Sequence, residues 1–319
     1  MRRALLIGCG EVGAKHADAL TLADGLDLVA VADPSPVVTP PSGVPLVLGW
    51  RAALKEYVPD VVVVATPPGL ALVAARAAAR AGAVVLVEKP AAITTADLRP
   101  LEEDHRVFVA FQPHFAPGLA WLLSQSPAAR RAAVRLVCRR DRGYYRDWRT
   151  RYATAGGILH QQAIHGLALA LRLLPPGPIR SSTAEVHRIR QWGESEDRVT
   201  ATVSFETGAE LTVDARVDSD EPRRHDVSLH FDDGQELHVR GRNLEVGLGR
   251  PQSAPNDRTL RLAMYRALPA GDTGPHHPCL FPLSELRRTL EVIDHAYRNA
   301  RTVPEAGPAP RARCRGRRA

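Results

Sequence analysis

The sequence predicts a doubly wound parallel α/β sheet followed by a mostly antiparallel open sheet of α+β type, and three observations carry that reading. An apolar run at 4–7 leads into Gly8, Gly10 and Gly13, spaced G-x-G-x-x-G. Up to about residue 117, apolar runs without polar alternation take turns with helical segments, as in a parallel sheet covered on both faces. Beyond 117, runs alternate apolar and polar residues between turn signals, as in a sheet with one covered face. A chain of 319 residues suits two domains. The expected division is 1–117, 118–303 with a last helix at 284–300, and a basic, disordered tail at 304–319.

In chain order, the first strand ends at the glycine turn. Gly8 allows the tight exit from the strand, Gly10 lets a pyrophosphate approach the backbone, and Gly13 lets the following helix pack on the strand. The helix N-terminus offers free N–H groups to phosphates. The second apolar run, 26–32, ends at Asp33, the position from which a carboxylate binds the adenosine ribose diol and repels a 2′-phosphate. Pro34, Ser35 and Pro36 follow, with no basic residue. The expected cofactor is therefore NAD rather than NADP, on a Rossmann-type sheet. A proline-rich loop leads to a short strand at 47–48 and a helix at 51–57. The valine run 61–65 ends in Thr66-Pro67-Pro68, and an alanine-rich helix at 70–81 stops at Gly82. Strand 84–87 runs into Glu88-Lys89-Pro90, Thr95 and Asp97 open a helix, and strand 107–111 precedes Gln112. Ligands gather at the carboxyl ends of such strands, which here carry Gly8, Asp33, Thr66, Lys89 and Gln112. In the second half, alternating strands at 134–140, 184–190, 199–205, 209–217, 227–231 and 236–239 surround one apolar helix at 157–174. The turns at 206–208 and 232–234 read as hairpins. The helix would cover one sheet face and a partner subunit the other.

A hydrophobic content of 45% with 24% charged residues belongs to a soluble globular protein. No apolar run reaches the ~20 residues that span a bilayer, and the expected location is the cytoplasm. Cys9, Cys138, Cys279 and Cys314 form no C-x-x-C pair, which argues against a zinc cage or a disulfide framework. The formal charge of +7 falls to +2 without the five arginines of 310–319. No specific nucleic-acid partner is therefore expected.

Lys89 stands between a strand end and a proline, on the ligand side of the sheet. A partly desolvated ammonium there can bind a substrate oxygen and stabilise the alkoxide-like charge of hydride transfer. Lys15, Lys55 and Lys89 are the chain's only lysines among many arginines, which favours a lysine kept for its chemistry. His165, on the apolar helix and four residues after Gln161, can take a proton as hydride leaves carbon. His276-His277 reads as a packing or solvated pair, and no metal site is expected.

These stretches (GCGEVGAKH, VADPS, VVVVATPP, VEKP, VAFQPHF and AGGILHQQAIH, in this order) resemble the Gfo/Idh/MocA oxidoreductases. The C-terminal SELRRTLEVIDHAYRNAR resembles that family's last helix, so the resemblance extends to about residue 303. It implies a dehydrogenase or reductase acting on a secondary alcohol or ketone of a sugar, nucleotide-linked sugar or cyclitol, in secondary metabolism. The stretch 144–165 is most similar to members acting at C3 of nucleotide-linked sugars. Lys89 and His165 are the implied catalytic pair, with Gln161, Arg149, Tyr152 and His114 toward the substrate. Gly8, Gly10, Glu11, Val12, Gly13, Asp33, Thr66, Pro67, Glu88, Lys89 and Gln112 are placed around the dinucleotide. A homodimer or homotetramer through the second sheet is implied. The sequence departs from the pattern at Ala155, Gln161 and Ala71, and at Ala168, where an orienting carboxylate for His165 is usual. Three alternatives stay open: an NADP-dependent 3-ketoreductase, an enzyme using bound NAD for transient oxidation, and a silent NAD-binding sensor.

Overall fold

The computed structural model describes residues 1–101, 103–246, 255–270 and 276–304; the basic tail expected at 304–319 lies almost wholly outside them. The first half runs β1 (Arg2–Ile7), α1 (Glu11–Leu20), β2 (Leu26–Ala32), β3 (Leu46–Val47), α2 (Trp50–Tyr57), β4 (Val61–Val64), α3 (Pro68–Arg80), β5 (Val84–Val87), α4 (Thr95–Leu98) and β6 (Val107–Val109). It continues through α5 (Leu119–Gln125), β7 (Arg131–Val137), α6 (Tyr152–Ala155), α7 (Ile164–Leu173), β8 (Ile179–His187), β9 (Arg198–Phe205), β10 (Glu210–Arg216) and β11 (Arg224–His230). The last elements are β12 (Glu236–Arg240), β13 (Asn243–Val246), α8 (Asp257–Ala267), β14 (Phe281–Pro282), α9 (Leu286–Arg298) and β15 (Ala300–Thr302).

The first sheet has the order β14-β6-β5-β4-β1-β2-β3, parallel except for β14. Its valine-rich strands are buried on both faces. Leu5, Ile7, Val62, Val64, Val85 and Val87 meet the alanines of α3 on one side, and Ala4, Leu6, Val61, Val63 and Leu86 meet residues of α1 and α8 on the other. Two pieces of this layer come from late in the chain. Met264 and Tyr265 of α8 join the α1-side core, and Phe281-Pro282 of β14 pairs with β6. The sequence reading placed no element at either, although Asn256 caps α8 by accepting from the Thr259 amide. Helix α4 opens at Thr95 as expected, with Thr94 as its cap in a capping box with Asp97.

The second sheet has the order β13-β12-β11-β7-β10-β9-β8-β15, antiparallel except where β10 meets β7 and β15 meets β8. The expected helix at 157–174 is two pieces, a π-helical turn at Leu159–Ala163 and then α7. Helix α7 lies tight on the sheet. A Cβ on Gly166 would come within 2.8 Å of Val134 and 3.3 Å of Val227. Gly208 and Gly234 take positive φ in the two hairpin turns, as the sequence requires. Among the described residues no helix is long and apolar enough to cross a membrane.

Candidate active site

The glycine loop has the geometry its spacing predicts. Gly8 sits at φ +88°, and a Cβ there would stand 2.7 Å from the Ala65 carbonyl oxygen. A Cβ on Gly13 would reach 2.1 Å from the Gly8 carbonyl oxygen. Above Gly10 nothing lies within 4 Å of that position, which leaves its backbone approachable by a phosphate. Asp33 ties the two loops together: Oδ2 accepts from the Cys9 amide at 2.7 Å and Oδ1 from the Ser35 amide at 2.9 Å. A carboxylate has about four lone-pair positions, so capacity for a ribose diol remains. Glu11 and Val12 open α1, and Pro67 caps α3 beside Thr66.

Lys89 closes β5 through a cis bond to Pro90. Its Nζ donates to the Gln161 carbonyl at 2.8 Å, so the ammonium of the first sheet touches the turn that leads to His165. Burial lowers the Lys89 pKa to about 8, against the pull of Glu88 and with the push of Arg140, Arg149 and Arg223. Behind it, Glu88 is not turned to the cofactor. Its carboxylate pairs with His16 Nε2 at 2.7 Å and accepts from the Lys89 amide at 3.0 Å, while His16 Nδ1 meets the Tyr265 hydroxyl. Burial opposes the Glu88 charge, but the His16 hydrogen bond, with Lys89 and Arg261 nearby, keeps its pKa below the ordinary carboxylate value. Glu88 thus holds Lys89 from the rear.

His165 is 8% exposed. Its ring stands edge-on to Phe111 and to His225, with centroids 5.2 and 5.7 Å apart. Burial first, then Lys89, His225 and His114, push its pKa well below the usual imidazole value, so it is neutral at pH 7. Gln161 anchors its own turn: Nε2 donates to the Gly156 carbonyl at 2.9 Å. Around Lys89 and the glycine loop, Thr66 Oγ1, Gln112 Oε1, Gln161 Oε1 and His165 Nδ1 are buried with no hydrogen-bond partner among the described residues. Most buried polar groups in proteins find a partner, and a dinucleotide and a polyhydroxylated ligand could supply one to these four; other buried atoms without a partner, such as Ser195 Oγ and Thr289 Oγ1, lie elsewhere in the fold. The residues present therefore fit NAD.

Three expected substrate residues are placed differently from one another. Arg149 lies near Lys89, its guanidinium 4.9 Å over Tyr144 and 4.6 Å over Trp148. His114 is 1% exposed and donates from Nε2 to the His165 carbonyl at 2.9 Å. That bond ties it to α7, and its Nδ1 is buried without a partner among the described residues. Tyr152 packs edge-on against His160 and Tyr297. The AGG stretch before the π turn serves that packing. A Cβ on Gly156 would collide with His160, and one on Gly157 with Tyr297 and Glu196. His160 has both nitrogens engaged, Nδ1 by the Gly157 amide and Nε2 by the Ile93 carbonyl. His276 and His277 pack on Phe108 and Phe115, as expected of a packing pair.

The sequence reading missed His225, Arg140 and Arg223. His225 lies on β11 opposite Leu136, its Nε2 buried without a partner, and burial lowers its pKa to about 4. Arg140 donates to Gln162 Oε1 at 2.6 Å, and Gln162 donates to the Tyr144 hydroxyl at 2.6 Å. No local motif marks these positions; only strand parity could have grouped them.

Two family models match the chain in sequence. One, described as an oxidoreductase family with an NAD-binding Rossmann fold, covers residues 2–105, and the other, the GFO/IDH/MocA C-terminal domain, covers 130–241. The chain belongs to the GFO/IDH/MocA oxidoreductases. Its first sheet is an NAD-binding Rossmann layer, and the expected family and fold hold. No protein of curated function matches it in sequence. Among solved structures, it is similar to GenD2 from gentamicin A biosynthesis in complex with NAD, at 21% identity and TM-score 0.74 over 93% of each chain. It is also similar to the WlbA dehydrogenase of Chromobacterium violaceum, in complex with NADH and UDP-GlcNAcA, at 21% identity and TM-score 0.72 over 93% of each chain. A myo-inositol dehydrogenase from Corynebacterium glutamicum matches at 17% identity and TM-score 0.72, over 94% of this chain and 96% of that one. At such identities these likenesses establish the fold.

Proposed function

We propose that this oxidoreductase moves a hydride between NAD and a secondary alcohol or ketone of a sugar, a nucleotide-linked sugar or a cyclitol, with Lys89 and His165 as the catalytic residues. The observation that carries this reading is the bond from Lys89 Nζ to the Gln161 carbonyl, 2.8 Å long, which joins the end of β5 to the turn before His165. In this reading residues 1–117 hold the dinucleotide through Gly8, Gly10, Gly13, Asp33, Thr66 and Gln112, and 118–303 hold the substrate. When bound, the nicotinamide accepts or returns the hydride. The Lys89 ammonium hydrogen-bonds the reacting oxygen and stabilises its developing negative charge. His165, neutral through burial, takes the hydroxyl proton in oxidation and returns it in reduction. Its low basicity suits passing that proton on rather than holding it. Gln161 supplies its free side-chain oxygen to a substrate hydroxyl.

The reading extends to a cytoplasmic enzyme whose second sheet, on the face turned from α7, is covered by another copy of the chain. Light scattering at micromolar concentration would give a dimer or tetramer mass; a monomer would exclude the assembly. For the chemistry, the NAD-loaded protein is assayed for NADH formation with hexoses, hexuronates, nucleotide-linked sugars and cyclitols. Lys89→Met should reduce turnover of any active compound at least ~10³-fold with NAD still bound. Turnover unchanged by the substitution would refute the assignment.

A further inference from the structure

The inner face of the second sheet continues past α7 into a row of cationic side chains. On β7 and β11, Val134 pairs with Val227 and Leu136 with His225, and α7 lies over the first pair through Gly166. Side chains two apart share a face. The same face therefore carries Arg140 beyond β7 and Arg223 just before β11, past the N-terminal end of α7. Arg140 confirms its side by bonding Gln162, the neighbour of the residue that holds Lys89. Tyr144 lies under both Arg140 and Arg149, at 4.7 and 4.9 Å, which fixes two guanidinium groups beside one ring. Arg140 reaches the surroundings of Lys89 through Gln162, Arg149 shares the Tyr144 ring with it, and the charges of all three arginines help lower the Lys89 pKa.

Several other arginines on this sheet are paired with acids, although Arg131, Arg180 and Arg224 are not among the described residues. Arg139 meets Asp220 at 2.7 Å, Arg190 meets Asp197 at 2.5 Å, and Arg198 and Arg216 both meet Asp218. Arg140, Arg149 and Arg223 form no ion pair within 4 Å among the described residues, although Arg149 and Arg140 are near enough to Glu11 to help lower its pKa, and Arg140 Nε is buried without any partner. Three such guanidinium groups around one ammonium repel one another at close range. Planar N–H forks of this kind match carboxylate and phosphoryl oxygens.

We propose that the substrate acted on by Lys89 and His165 is an anion, a sugar bearing a carboxylate or a phosphoryl group, and that Arg140, Arg149 and Arg223 bind the charged group. This rests on the hydride-transfer reading above and narrows it. Polycationic aminosugars are excluded by the same field, and neutral sugars leave the guanidinium groups unpaired.

Calorimetric titration of the NAD-loaded full-length protein with glucose, glucuronate and glucose 6-phosphate tests it. At least one of the charged sugars should bind tenfold or more tightly than glucose, and which one wins separates carboxylate from phosphoryl recognition. The preference should shrink in 0.5 M salt and fall below threefold in Arg223→Ala, with partial recovery in Arg223→Lys and with NAD affinity within twofold of the parent. Absence of a preference for either charged sugar, or a preference untouched by Arg223→Ala, overturns the anion site while leaving hydride transfer standing. A parent protein that binds no NAD overturns both readings.

Discussion

Lys89 divides the molecule's polar interior into two regions that differ in kind. Behind it, Glu88, His16 and Tyr265 form a chain in which the carboxylate and both imidazole nitrogens have partners. In front of it, Thr66, Gln112, Gln161 and His165 each bury a polar atom without one. Among the buried histidines, His16 and His160 use both ring nitrogens, whereas His114, His165 and His225 each keep one free. A buried polar group that lacks a partner costs about 1–3 kcal/mol. A fold that satisfies one side of a lysine and leaves the other unsatisfied has kept the second side for ligands. In the proposed reading the residues behind Lys89 position it, and those in front bind ligand or react.

The contrast breaks most completely at Lys89 itself, where Lys89→Met should remove at least three orders of magnitude in turnover. Next comes the loop that separates the regions. Gly13→Ala forces a methyl into the Gly8 carbonyl and should lower the NAD affinity at least ~100-fold and destabilise the fold by about 1–3 kcal/mol, read by calorimetry and thermal melting. Buried, partnered histidines give a stability effect with a definite sign. The His160 pKa is lowered by burial from 6.5 to about 4, so the unfolded chain binds the proton first. Stability should therefore fall as pH drops from 6.5 toward 4, by about 3 kcal/mol from this residue, and His160→Asn should flatten that slope in denaturant melts. Tyr297→Phe removes the hydroxyl that donates to buried Glu196 and should cost about 1.5–3 kcal/mol. The smallest effect sharpens the contrast most. With Lys89 protonated below about 8, kcat/KM should decline as pH rises through that value. Glu88→Gln removes the charge that raises the Lys89 pKa, while Arg140, Arg149 and Arg223 continue to lower it, so the declining limb should move to lower pH.

The two regions were unequally legible in the sequence. Gly8, Gly13, Asp33 and Lys89 follow from local grammar, because a turn, a strand end and a proline fix their positions within a few residues of chain. The valine runs and the hairpin glycines were readable for the same reason. His165 was readable as an isolated polar residue on an apolar helix, but its partner His225 lies 60 residues away on a strand and shows no local signal. Arg140 and Arg223 look like solvated charges until the parity of β7 and β11 puts them on one face of the sheet. Tyr152 and His114 stand near the site by position, and their packing against Tyr297 and bond to the His165 carbonyl could not be read from the sequence. The addition of α8 and β14 to the first sheet was the least legible feature, since a two-residue strand has no pattern to read.

A crystal structure of the protein with NAD bound tests the central claim most directly. The pyrophosphate should lie on the backbone of Gly8–Gly13 with a ribose on Asp33, and the nicotinamide end should reach Lys89, giving partners to Thr66 or Gln112. NAD bound elsewhere, or bound at the loop while Lys89 and His165 stay out of reach of its nicotinamide, would contradict it.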